Sequence, residues 1–223
     1  MNTDGRIEQS RLLYERARHD AEPSALAEAD LVLDAVEADL ALARGRVLHG
    51  RFLQQREDDP EHLHEDPDEL PLFERAAELF RQLADVRGEG EALFWIGCLQ
   101  QVIRRDNDAA VPVLKRSLVL ASQVGDKPTM AEALRHLGIA DHAAGRLEAA
   151  RERLEESSRL RRDTGNLQGV AANLVGLIYI AIGQGRRDDA LALAAEAETI
   201  AGAYGAHGIL RQIQEARTAI DHS

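Results

Sequence analysis

The sequence predicts an all-α chain: an α-solenoid of antiparallel helical hairpins, each pair held by the pairs before and after it. Three observations predict this. Gly125, Gly165 and Gly205 are spaced by 40 residues, as are Ala110, Ala150 and Ala190, and RDNDAAVPVLKRSLVLASQVGD aligns without gaps on GRLEAARERLEESSRLRRDTGN. A two-helix unit repeating near 40 residues cannot bury its own apolar face and does so by stacking. Next, residues 132–160 read as two amphipathic helices about a turn at Gly145-Arg146, with Ala133, Leu134, Leu137 and Ala140 on one and Leu147, Ala150, Leu154, Ser157 and Leu160 on the other. Finally, the chain is 44% hydrophobic but only 4% aromatic. Ala and Leu therefore carry the apolar positions, which suits close helix packing and not a β-sandwich.

In chain order, a first helix spans residues 5–20, with Ile7, Leu13, Tyr14 and Ala17 roughly on one side. Pro23 stops it and Ser24 caps the next. Residues 24–54 contain no Pro and only Gly45 and Gly50. Because a 31-residue helix is long for a globular domain, two helices are expected, meeting near Glu37. Residues 54–71 hold three prolines, eight acids and one Arg, a local −7 of the chain's −12. This reads as an extended, mobile insert.

Helical periodicity resumes at Leu72 with Phe73, Ala76, Ala77, Phe80 and Leu83. Helices over 89–103 and 109–124 follow, closed by Gly125 as a left-handed cap. Asp126 and Pro128 open the next helix. The fourth hairpin has a first helix over 167–182, a longer turn over 183–187 and a second helix over 188–204. A last helix, 209–220, carries Ile209, Ile213, Ala216 and Ile220 on one face as a lid. The expected organisation is N-terminal helices over 1–37, repeats over 38–205 with the acidic insert at 54–71, and a capping helix over 206–223.

Composition also narrows function. Net charge of −12 disfavours nucleic acid as a partner, since phosphate binding needs a basic footprint. A single cysteine, Cys98, allows no intrachain disulfide, and the polar start MNTDGRIEQS lacks a signal-peptide core, so a cytoplasmic location is expected. No run of about 18 apolar residues suggests a membrane span. Twenty-five Arg against two Lys (Lys115, Lys127), with abundant Ala, suggests GC-rich bacterial codons.

The residues also resemble the tetratricopeptide repeat family, whose pattern is W-x2-L-G-x2-Y and then A-x3-F. Leu93, Ile96 and Gly97 match its first half, as do Leu134, Leu137 and Gly138, and Val175, Gly176 and Tyr179. Ala76 with Phe80, Ala110 with Leu114, and Ala150 with Leu154 match its second half. Gly45 begins a fainter copy. Its 52-residue separation from Gly97 equals one 34-residue repeat plus an 18-residue insertion, which places residues 54–71 in a hairpin turn. Departures are Gln100 and Asp141 at the aromatic position, Gly in place of the closing Pro, and Ala194 after Ala190. The resemblance covers about residues 38–205.

It implies a right-handed superhelix whose concave face is lined by each hairpin's first helix. It further implies a non-catalytic scaffold that binds a protein or peptide there, without a cofactor. Carried over residue by residue, that face presents Arg46, His49, Phe94, Cys98, Gln101, Arg135, Ile139, His142, Asn173 and Leu177. Arg46, Gln101, Arg135 and Asn173 suit carboxylates or peptide backbone, Arg being a planar bidentate donor. Only Arg135 and Asn173 parallel the set with which some members grip a C-terminal carboxylate. Trp95, the sole Trp, reads as an interface hot spot or, more simply, as a packed residue between hairpins.

Other readings compete. A regulatory sensor would change superhelical pitch on binding a peptide or small molecule. A metal-dependent enzyme would use His62, His64, Glu65 and Asp66, a His-x-His set with carboxylates that nothing holds in coordination geometry. A homo-oligomer would form through an uncapped end. Arg151, Arg153, Arg159, Arg161 and Arg162 alternate with Glu152, Glu155 and Glu156 as surface ion pairs. Asp141, His142 and His136 have no Ser or Cys nucleophile at a known spacing, and no phosphate-loop, dinucleotide or HExxH motif occurs.

Overall fold

The computed structural model describes residues 4–19, 22, 24–59 and 63–222. The chain divides into two compact units, residues 1–105 and 106–223. Among the described residues the fold is all-α, with ten helices packed in chain order within each unit, as in a helical-repeat solenoid.

In the first unit, α1 (Gly5–His19) packs on α2 (Ser24–Asp58), α2 on α3 (Glu69–Gln82), and α3 on α4 (Val86–Val102). Its core is Phe73, Leu79, Phe80 and Leu99 with Ala38, Ala41 and Leu42. The region 24–54 is not two helices: α2 runs unbroken for 35 residues through Glu37 and past the 37/38 boundary. Length alone argued for a join, but Ala and Leu at more than half of positions 25–43 keep helix propensity high, and no Pro or turn interrupts. Gly45 is helical because it packs, and a Cβ there would stand 2.5 Å from the Phe73 ring.

The acidic stretch is likewise only partly a loop. Helix α2 continues to Asp58 and α3 begins at Glu69; residues 59 and 63–66 are irregular and 67–68 form a turn. Pro71 sits in the first turn of α3, where its missing N–H has no intrahelical partner to lose. On α1 only Leu13 is buried, with Ala17 half-buried; Ile7 and Tyr14 lie to the side and are exposed.

The second unit consists of α5 (Asn107–Val124), α6 (Lys127–Ala143), α7 (Leu147–Asp163), α8 (Leu167–Gly183), α9 (Arg187–Ala203) and α10 (His207–Asp221). Each packs on the next, and α6 also meets α8, the first helices of successive hairpins. Leu154 of α7 lies against both: a Cβ at Gly138 would be 3.2 Å from its Cγ, and one at Gly176 would be 2.8 Å from a Cδ. The two repeat glycines thus seat one leucine between them. Helix α10 closes the row with Ile213, Ala216 and Ile220 fully buried against α8 and α9.

The 40-residue period has a finer grain. Left-handed residues recur at Gly125, Gly145, Gly165, Gly185 and Gly205, with φ between 61° and 76°. After each, the next N–H donates back five residues: Asp126 to Ala121, Arg146 to Asp141, Asn166 to Arg161, Arg186 to Ala181 and Ala206 to Ala201, at 2.8–2.9 Å. This is the Schellman closure of a helix C-terminus. The four helices α6 to α9 are each 17 residues long. The same turn therefore serves within and between hairpins, every 20 residues. The connection expected to be longer, 183–187, is residues 184–186, the same length as 144–146, 164–166 and 204–206, since Gly183 and Arg187 are helical. Upstream, Arg105 and Ala84 take the left-handed place without glycine, at φ 57° and 56°.

Candidate functional site

In the first unit the groove candidates gather around Trp95. His49 meets its ring edge-on with centroids 5.3 Å apart, Phe94 does so at 5.1 Å, and Phe73 stacks on it at 5.8 Å. The Arg46 guanidinium lies 5.7 Å from the Trp95 ring centre and 3.3 Å from a Glu91 carboxylate oxygen. Trp95 is half-buried, as a packed residue of α4. His49 and Phe94 point inward, at 3% and 5% exposed, and Gln101 is buried as well.

Beneath Trp95 lies a polar chain that no sequence motif announced. His49 Nδ1 is 2.9 Å from Glu69 Oε1, and its Nε2 is 3.7 Å from the Cys98 Sγ. Glu69 is fully buried, and among the described residues its Oε2 has no hydrogen-bond partner. Thiol, imidazole and carboxylate stand in the order of a nucleophilic triad. Cys98 is 4% exposed, however, and the imidazole is equally enclosed, so no carbonyl could reach the sulfur. Glu69 was hidden by its neighbours, because it ends an acidic run. The signal that could have found it is its phase: residues 69, 73, 76 and 80 share one face of α3, and the last three are Phe73, Ala76 and Phe80.

In the second unit Asn173, with 0% exposure, organises a ladder across three helices. Its Oδ1 accepts from Arg135 Nη1 at 2.9 Å; its Nδ2 donates to Ser157 Oγ at 2.8 Å and Ser158 Oγ at 3.2 Å. Ser157 Oγ donates to the Ala131 carbonyl and Ser158 Oγ to that of Leu154, each at 2.7 Å. Arg161 is not on the surface: it is buried and pairs with Glu132 at 2.6 Å. Its neighbours do make surface pairs, Arg151 with Glu155 and Arg159 with Glu156. Arg161 differs because it falls on the apolar stripe of α7 beside Leu154 and Ser157.

Asn173 is thus structural, while Arg135 is half-buried and fixed by it. One and two turns further along α6, Ile139 is 37% exposed and His142 is exposed. Arg135, Ile139 and His142 stand at i, i+4 and i+7 on one helix face. Asp141, on the other side, is buried and ion-paired to Arg146 at 2.7 Å and Arg153 at 2.9 Å.

The His-x-His reading divides: His62 lies outside the described residues, and His64 is exposed. Glu65 holds Arg104 through two bonds of 2.6 and 2.8 Å. Among the described residues no group of three His, Cys, Asp or Glu is arranged to hold a metal, and no helix is long and apolar enough to cross a membrane.

Compared with known proteins, residues 98–163 match the tetratricopeptide repeat family, from the last turn of α4 through α7. No curated protein matches the chain. The matched segment contains two of the 20-residue turns, at Gly125 and Gly145, and the same turn carries on to Gly205. On this match, residues 98–163 are a tetratricopeptide repeat segment, and helix pairs joined by the same turn continue beyond it to Gly205.

Proposed function

We propose that the chain is a non-catalytic scaffold that holds a protein or peptide against the face of α6 formed by Arg135, Ile139 and His142. Tetratricopeptide repeats generally mediate protein–protein interactions, which supports a scaffold. The observation that carries this reading is the fixing of Arg135 by the buried Asn173 at 2.9 Å. A held guanidinium loses less side-chain entropy on meeting a carboxylate or a backbone carbonyl than a free one does. Beside it, Ile139 offers an apolar contact and His142 a second polar one.

The test is capture of partners from a lysate with the wild-type chain, with Arg135→Glu, with the exposed variant Ile139→Glu, and with a control on α1, Arg18→Glu. Captured proteins lost with both α6 variants and kept with the control support the reading. A captured set unchanged by Arg135→Glu and Ile139→Glu, in chains whose melting is unaltered, rejects it.

A further inference from the structure

The long helix α2 carries an apolar stripe whose large side chains are exposed among the described residues. Leu26, Leu33, Leu40 and Val47 are 49%, 43%, 49% and 55% exposed. They are seven residues apart, the spacing of a coiled-coil seam. Three residues after each come Ala29, Val36, Ala43 and Gly50. Ala29 is covered by α1 and Val36 is half-buried, whereas Ala43 and Gly50 are exposed. The stripe extends for about 36 Å along the helix.

The charge on α2 is segregated along its length. Residues 24–42 hold five acids and no base; residues 43–56 hold four Arg and no acid. Compensation of the helix dipole does not explain this, because that effect is confined to the terminal turns and the first turn of α2 holds no acid.

We infer that α2 is the docking face for a second copy of this chain, the two α2 helices packing antiparallel about a two-fold axis near residues 41–42. One register satisfies apolar and charged positions together. Leu40 of one copy faces Ala43 of the other, Leu33 faces Gly50, and Val47 faces Val36. Large side chains thus meet small ones in the first two pairs, and the third sets two valines together about one and a half turns to either side of the axis. The flanking positions on one side then bring Asp30 opposite Arg51 and Glu37 opposite Arg44; on the other side Asp39 comes opposite Arg46. Parallel in-register pairing would keep only Asp39 opposite Arg44 and would set Arg46 against Arg51, so it satisfies fewer of these charges. Within the chain Glu37 binds Arg75, Asp39 binds Arg6 and Arg46 binds Glu91. Asp30, Arg44 and Arg51 make no hydrogen bond or ion pair among the described residues. The contact is isologous and closes at two subunits.

Sedimentation of the full chain over a concentration series tests this. The wild-type chain is expected to pass from monomer to dimer, and Leu33→Glu/Leu40→Glu to stay monomeric with unaltered helicity and melting. Arg44→Glu/Arg51→Glu alone and Asp30→Arg/Glu37→Arg alone should each be monomeric, and an equal mixture of the two should dimerise. Oxidised Leu40→Cys should cross-link between copies. The inference is overturned by a wild-type monomer at every concentration, by a dimer that survives Leu33→Glu/Leu40→Glu, by a charge-reversed mixture that stays monomeric, or by Leu26→Cys cross-linking in place of Leu40→Cys. Partner capture on α6 reads a different helix, so failure of one result leaves the other standing.

Discussion

His49 and Glu69 form a buried pair, 2.9 Å apart, that ties α2 to α3 under the ring of Trp95. Among the described residues, each group compensates the other's buried polar atom on that side. Replacing either with Leu strands its partner, so each single variant should lose about 3–5 kcal/mol of stability. The double variant His49→Leu/Glu69→Leu should be more stable than either single one. Urea unfolding of the four chains measures the coupling, and simple additivity would show that the pair contributes nothing as a pair.

Arg105 occupies the left-handed place that glycine holds in the next five turns. A side chain in that conformation costs about 1–2 kcal/mol, partly offset in Gly by extra freedom of the unfolded chain. Arg105→Gly should raise the melting temperature, and Gly165→Ala should lower it. Shifts of the same sign would refute the equivalence of these turns.

Gly45 lies against the Phe73 ring, so close that a Cβ would stand 2.5 Å from it. Gly45→Ala should destabilise by about 1–3 kcal/mol, because a fully buried ring has little room to retreat. Phe73→Leu should cost less in the Gly45→Ala background than in the wild type. Thermal melts of the four chains would reveal this, and equal costs would rule out the close approach.

Glu37 is bound by Arg75 through two bonds of 2.7 and 3.0 Å. The hydrogen bond from Arg75 holds the Glu37 carboxyl below its ordinary value of 4.5, against a small opposing desolvation. A depressed carboxyl contributes stability that is fully present above its unfolded value and is lost as pH falls through its folded one. Both side chains are about half exposed, at 49% and 47%, so solvent screens most of the gain. Glu37→Gln should therefore lower stability slightly near pH 7 and not below about pH 3, and high salt should shrink the difference. A difference that grows on acidification would contradict the assignment.

Repetition made the fold readable, because a period in sequence is a period in packing. The glycines spaced by 40 placed the last three hairpins, and Ile209, Ile213, Ala216 and Ile220 placed the closing helix. Glycines also mark the 20-residue half-period from 125 to 205, and only upstream, where Arg105 and Ala84 hold their turns, is it unmarked. The continuity of α2 was missed because length was weighed above propensity. The candidate site was least legible. A position one turn from a repeat glycine indicates a helix and a direction, but burial depends on side chains arriving from elsewhere. Asn173 meets Ser157 and Ser158, and His49 meets Glu69 from the far side of an acidic run; neither meeting leaves a trace in local spacing.

The uniform turn also bears on how such a chain can change length. Residues 126–165 begin and end at equivalent points, and removing them would join Gly125 to Asn166, which performs the same backbone closure as Asp126. A recombination that dropped or doubled forty residues there would leave every remaining helix face in phase with its neighbours. The architecture can thus grow or contract by whole modules without redesign of any junction.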